Sequence, residues 1–145
     1  MIETATLRVQ RLRPDARLPE RATPGSTGFD LYACLDGDME IGQEPALVPT
    51  GIAIEAPAGY DVQIRPRSGL SSKGVMATFG TIDSDYRGEL LVTLFVLPYR
   101  GPHTVRPGDR IAQLIVSRTA DVVIEETDEL SGSARGAGGH GSTGS

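Results

Sequence analysis

The chain has 145 residues, a formal net charge of −5 and one cysteine, Cys34. That length fits one domain with its own core, expected to bury about two-thirds of its unfolded surface. The acidic balance argues against a non-specific nucleic-acid binder, which needs a basic face, so any polyanionic ligand has to be met by local arginines. A lone cysteine forbids an intramolecular disulfide and a cysteine-rich zinc site, and Cys34 reads as a small buried hydrophobe. No run of about 20 apolar residues is available to span a bilayer. Met1-Ile2-Glu3-Thr4 lacks the regions of a signal peptide, so a cytoplasmic protein without a membrane or nucleic-acid partner is expected.

Period-two alternation of apolar residues begins at Leu7 and Val9 and recurs at Ile52 and Ile54, Val62 and Ile64, Leu94 and Val96, Ile111 with Leu114 and Ile115, and Val122 and Ile124. This is a strand signal. Turn clusters stand between the runs, at Ala58-Gly59, Arg100-Gly101-Pro102 and Arg106-Pro107-Gly108-Asp109, and 18 glycines and 10 prolines fit many short strands. Only Gly69-Leu70-Ser71-Ser72-Lys73 has room for a helical turn, so the expected fold class is all-β with one short helical turn at most.

Polar islands interrupt the strands. Pro24-Gly25-Ser26-Thr27-Gly28-Phe29-Asp30-Leu31 places two glycines and two hydroxyls ahead of an aspartate that enters a strand. Arg65-Pro66-Arg67-Ser68-Gly69-Leu70 sets a guanidinium and a hydroxyl at a strand end, where backbone N–H groups can add to an anion nest. Gly80-Thr81-Ile82-Asp83-Ser84-Asp85-Tyr86-Arg87-Gly88-Glu89 crowds ionisable groups into a turn before the apolar run Leu90 to Leu97. Asp83 is there a candidate general base, a role that calls for a rigid, partly dry pocket. Gly108-Asp109-Arg110-Ile111-Ala112-Gln113-Leu114 supplies an amide that alternation sends to the face opposite Ala112. Beyond Leu130 the composition changes to a glycine-rich tail, residues 131–145, that cannot pack a core but carries Arg135 and His140 among unhindered N–H donors. Taken singly, each island is also what ordinary turns are made of.

Taken together, in this order and spacing, the islands resemble the five motifs of the trimeric deoxyuridine triphosphatases (dUTPases), which hydrolyse dUTP to dUMP and pyrophosphate. The resemblance runs from about Pro24 to Gly144. It rests most heavily on Arg67-Ser68-Gly69-Leu70, on Gly80 to Gly88, and on Arg135-Gly136-Ala137-Gly138-Gly139-His140-Gly141-Ser142-Thr143-Gly144. It implies a jelly-roll-like subunit over residues 1–130, a homotrimer with shared active sites, and a mobile arm over 131–145 that closes on substrate. The cellular role it implies is to limit uracil incorporation into DNA and to supply dUMP for thymidylate synthesis.

By the same resemblance, Asp83 activates the attacking water and bonds the deoxyribose 3′-hydroxyl, while Tyr86 packs under the sugar, where a 2′-hydroxyl would clash. Asp30 anchors hydrated Mg²⁺ through water, as suits a hard cation. Arg67, Ser68 and Gln113 contact phosphates, and Gly69 belongs to the substrate-binding set. Gly80, Thr81 and Ile82 are among the residues that bind substrate. Arg135 clamps the γ-phosphate, Gly141, Ser142 and Thr143 accompany it, and His140 lies over uracil. Two positions depart from the family pattern. His140 replaces a frequent phenylalanine, keeping a flat face that can become charged at mildly acidic pH. Ala77 replaces a frequent asparagine, which leaves uracil to be read by the backbone of Val75 to Gly80. The related dCTP deaminases need a glutamate where spacing places Thr93, so deamination is disfavoured. A catalytically silent relative would have no use for Asp30, Asp83 and a complete arm.

Overall fold

Alternation becomes strand geometry most clearly in Tyr60–Arg65, where Val62 and Ile64 are buried and their neighbours are half-buried. The computed structural model describes residues 2–141. Ser142 and Thr143 lie outside the described residues. The elements in chain order are β1 Arg8–Arg11, β2 Phe29–Tyr32, β3 Met39–Ile41, β4 Ala46–Pro49, β5 Ile52–Glu55, β6 Tyr60–Arg65, α1 Ser68–Ser71, β7 Val75–Ala77, β8 Gly80–Ile82, β9 Leu91–Val96, β10 His103–Val105 and β11 Arg110–Arg118. The expected helical turn is α1, which closes through Ser71 N donating to Arg67 O and Ser72 N to Ser68 O, both at 3.0 Å.

All strand pairs are antiparallel, in sheets ordered β1-β5, β10-β3, β2-β11-β6-β8 and β4-β9-β7. The four-stranded sheet sets the islands side by side, because β2 carries Asp30, β11 carries Gln113, β6 leads into Arg67 and β8 leads into Asp83. The register of β11 on β2 shifts between Arg110 and Ala112. This bulge turns both Ile111 and Ala112 into the core, at 1% and 0% exposure, and sends Gln113 outward. Leu31, Ile41, Val48, Ile52, Leu90 and Leu114 are among the fully buried side chains between the sheets.

Cys34 is buried against Gly51, whose φ of 71° favours glycine and whose missing side chain makes room: a β-carbon there would sit 2.7 Å from Cys34 Sγ. Burial pushes the thiol pKa up, leaving little of the reactive thiolate at neutral pH. The folded protein should therefore resist alkylation by iodoacetamide at about pH 7.5 and become labelled in denaturant. Mass spectrometry showing fast labelling of folded protein would contradict the burial.

The strand expected around Val122 and Ile124 does not form. β11 ends at Arg118, Thr119 N donates to Gly59 O at 2.9 Å, and residues 120–141 contain neither helix nor strand. Alternation makes a strand only where a neighbour accepts and donates the ladder hydrogen bonds. Among the described residues no neighbour is supplied, and Val122, Val123 and Ile124 are 71%, 86% and 88% exposed.

Candidate active site

Asp30 is fixed from both sides of β2. Its N–H donates to Glu20 O at 2.7 Å, and across the other edge it pairs in register with Gln113 of β11. Its carboxylate, 14% exposed, faces two guanidinium groups: Arg67 Nε lies 3.5 Å from Oδ1 and Arg110 Nη1 lies 3.8 Å from Oδ2. Arg67 Nη1 also donates to Arg110 O at 3.3 Å. Gln113 Nε2 donates to Pro66 O at 3.0 Å, which ties β11 to the segment leading into α1. A β-carbon at Gly28 would collide with Gln113 Oε1, so glycine there makes room for this amide. Ser68 and Gly69 are exposed beside this cluster, at the start of α1.

Three islands far apart in sequence thus converge on one end of the sheet, and Arg110 joins them. Sequence reasoning included Arg110 in its island without giving it a role. The signal it lacked was the bulge, since strict alternation does not reveal which neighbours share a carboxylate.

Among the described residues no group of three or more His, Cys, Asp or Glu side chains could hold a metal ion by itself. Asp30 is one carboxylate between two arginines. Such a donor set does not bind a bare divalent cation on its own and is compatible with one that keeps its own waters.

A second cluster lies beyond β8. Gly80, Thr81 and Ile82 pair with Ile64, Gln63 and Val62, and the chain then turns through Asp83, where Tyr86 N donates to Asp83 O at 3.0 Å. The Tyr86 hydroxyl donates to Glu89 O at 2.8 Å. Its ring lies close against Gly88, where a β-carbon would collide with the hydroxyl oxygen. Glu89 is anchored in turn, accepting a 2.9 Å bond from Gly51 N. Thr81, Ile82, Asp83, Tyr86, Glu89, Leu90 and Leu91 line a cleft of about 210 Å³. The expectation of a partly dry pocket for Asp83 is not met within one chain, because Asp83 is exposed. The turn projects past the last ladder pair of β8, and residues 83–87 are exposed among the described residues.

Ala77 is buried in β7, paired with Leu94, and Thr78 N donates to Thr93 O at 3.1 Å. β7 and β8 are both edge strands among the described residues. One row of peptide groups on each is therefore left without a strand partner, and the segment joining them presents main-chain donors and acceptors.

Register shows how far apart the two clusters are. β6 and β8 are antiparallel with Ile64 opposite Gly80 and Val62 opposite Ile82, so Asp83 leaves the sheet at the Asp61 end of β6. Arg67 leaves it at the other end, and Asp30 and Gln113 lie there too, since Gln113 pairs with Arg65. Six residues of strand amount to roughly 20 Å. No hydrogen bond or ion pair among the described residues joins Asp83 or Tyr86 to Asp30, Arg67 or Gln113.

Over its described part, residues 131–141, the tail makes no hydrogen bond to either cluster. Arg135 Nε donates to Gly138 O within the tail's own turn, Gly138 N returns a 3.2 Å bond to Arg135 O, and Gly136 N donates to Ser133 Oγ at 3.1 Å. His140 is exposed with a φ of 51°, and Gly141 follows with a φ of 84°.

This arrangement can be set against known proteins. The family model for dUTPase matches residues 14–144. The chain belongs to the dUTPase family. It is 44% identical over 149 residues to the deoxyuridine 5′-triphosphate nucleotidohydrolase of Syntrophotalea carbinolica, covering 99% of each chain. With the enzyme of that name from a Hydrogenobaculum species it shares 48% over 142 residues, covering 95% of this chain and 97% of the relative. The dUTPase of Staphylococcus bacteriophage 80alpha, solved with dUPNHPP, superposes with a TM-score of 0.85 at 29% identity, over 98% of this chain and 100% of that one. A mutant dUTPase from phage phi11 of S. aureus, described with a structural Mg(II) ion, superposes with a TM-score of 0.76 at 25% identity, over 86% of this chain and 97% of that one. The all-β, jelly-roll-like dUTPase fold expected from the motifs is the one observed.

Proposed function

We propose that this dUTPase hydrolyses dUTP to dUMP and pyrophosphate in sites assembled between copies of itself, as a homotrimer. The observation that carries the shared site is the register of β6 and β8, which sets Asp83 and the Arg67 cluster at opposite ends of one strand, roughly 20 Å apart. A water activated at one end cannot attack a phosphate held at the other end of the same chain. A neighbouring copy supplies the missing half. Surface left bare in one chain supports this: Val122 to Ile124 are exposed, and so are Leu47 and Leu91 on the outer face of β4 and β9, at 58% and 40%.

In this reading Asp83 accepts a proton from the water that attacks the α-phosphorus in line, and pyrophosphate departs. Asp83 also accepts a hydrogen bond from the 3′-hydroxyl. Tyr86, held by Glu89 O and by the absence of a side chain at Gly88, presents a fixed ring to the sugar, against which a ribose 2′-hydroxyl collides. Gly80, Thr81 and Ile82 wall the nucleoside, and the backbone from Val75 to Gly80, with Ala77 contributing no side-chain amide, reads uracil. Arg67, Gln113 and the main chain at Ser68 and Gly69 meet the phosphates. Residues 131–145 close over them as an arm, with Arg135 on the γ-phosphate beside Gly141, Ser142 and Thr143, and His140 over the base. Asp30 would orient the waters of a bound Mg²⁺, which neutralises charge on the triphosphate. Turnover on this scheme limits uracil entry into DNA and supplies dUMP for thymidylate synthesis.

Purified protein incubated separately with dUTP, UTP and dCTP, with products separated by chromatography, tests the reading. Only dUTP should be consumed at an appreciable rate, and EDTA should suppress that rate. Comparable hydrolysis of UTP would remove Tyr86 from selectivity, and formation of dUTP from dCTP would favour deamination despite Thr93. Gly88→Ala should cost about 10- to 100-fold in kcat/KM, because the new methyl displaces the Tyr86 ring by an ångström or more. Unchanged kinetics in that variant would show that the ring position is immaterial.

A further inference from the structure

The turn that carries Asp83 and Tyr86 is exposed throughout, yet it is cross-braced from outside its own segment. Arg87 Nη1 donates to Ser84 O at 2.7 Å and to Tyr86 O at 3.1 Å, closing the loop on itself around Asp85. Its other terminal nitrogen, Nη2, donates to Glu55 Oε2 at 3.1 Å, at the end of β5. Glu55 Oε1 in turn accepts from Arg8 Nη1 at 2.9 Å, across the β1-β5 pair. The guanidinium therefore ties two loop carbonyls to a carboxylate on a separate sheet, a task that suits its rigid, planar set of donors.

Resting on the assignment of Asp83 as the base, we infer that Glu55 and Arg87 form a positioning device for the catalytic turn. On this inference neither residue acts by touching substrate; each acts through the path of residues 83–86. The magnitudes separate this role from a stabilising one. Arg87 and Glu55 are 52% and 41% exposed, and ion pairs that open to water contribute little to stability. Misplacing a catalytic group by about 1 Å, by contrast, can cost around 100-fold in rate. Loss of the brace should thus appear in kcat and not in melting temperature.

The test measures kcat, KM and Tm for the wild type, Arg87→Gln, Glu55→Gln, Arg87→Lys and the Arg87→Gln/Glu55→Gln double variant, with sedimentation to confirm an unchanged assembly. Arg87→Gln should lose about tenfold or more in kcat, with KM within about twofold and Tm within about 2 °C. Glu55→Gln should lose less, because the carbonyl bonds remain. Arg87→Lys should recover part of the loss by keeping the charge opposite Glu55. The double variant should be no slower than Arg87→Gln, since Glu55 acts only through Arg87. Normal kcat in Arg87→Gln, losses that multiply in the double variant, or a loss matched by a fall in Tm would each overturn the inference. Wild-type turnover of dUTP and its collapse in Asp83→Asn serve as controls. If those fail, the functional assignment falls; if they hold while Arg87→Gln behaves as wild type, only the brace does.

Discussion

Asp83→Asn should lower kcat for dUTP by about 10²- to 10⁴-fold or more, the usual cost of removing a general base. The structure makes this a clean experiment. The Asp83 side chain is exposed and takes no part in the hydrogen bonds of the described residues, whereas its backbone carbonyl, which receives Tyr86 N, is untouched by the substitution. An amide of nearly the same shape leaves no buried group unsatisfied, so stability should change by no more than about 0.5 kcal/mol. Binding of a non-hydrolysable dUTP analogue, measured by calorimetry, should stay within a few-fold of the wild type. A variant that still releases pyrophosphate at near-normal rates would take Asp83 out of the mechanism. One that is dead because it no longer binds the analogue would make binding, through the bond to the 3′-hydroxyl, and not proton transfer, the main role of Asp83.

Local patterning was legible in the sequence to different depths at different residues. Val62 and Ile64 alternate and become β6; Gly69 to Lys73 had room for one turn, and α1 stands there. Asp30, Arg67 and Gln113 could be picked out as types, but their meeting depends on a register spanning more than 80 residues and on the bulge at Ile111, which no local pattern encodes. The pairing of Asp30 with Arg110, and of Arg87 with Glu55, is invisible for the same reason: both are choices among many arginines and carboxylates that only the folded register makes. Val122 and Ile124 show the opposite error, a true alternation with no partner strand among the described residues. Asp83 shows it too, because dryness is a property of whatever covers the turn and not of the turn's own residues.

Truncation after Leu130 should leave soluble protein with an intact β core and little activity. Among the described residues the last strand ends at Arg118 and the hydrogen bonds made beyond residue 120 stay within that segment, so removing 131–141 breaks none of the described hydrogen bonds to the body. What is lost is Arg135, His140, Ser142 and Thr143. Asp83→Asn should be inactive for an unrelated reason, and the two defects can be set against each other. The stretch from Arg118 to Arg135 can extend over roughly 55 Å, enough to reach a site on a neighbouring copy if the proposed assembly forms. If the base and the arm of one site come from different chains, unfolding and refolding equal amounts of the two proteins together creates sites with an intact Asp83 from a truncated chain and an intact arm from an Asp83→Asn chain. Random assembly puts both in about a quarter of all sites, so the mixture should regain roughly a quarter of wild-type activity, against almost none for either protein refolded alone. A mixture as inactive as its components, with mixed assemblies confirmed by mass spectrometry, would show that each chain lays its arm over its own Asp83.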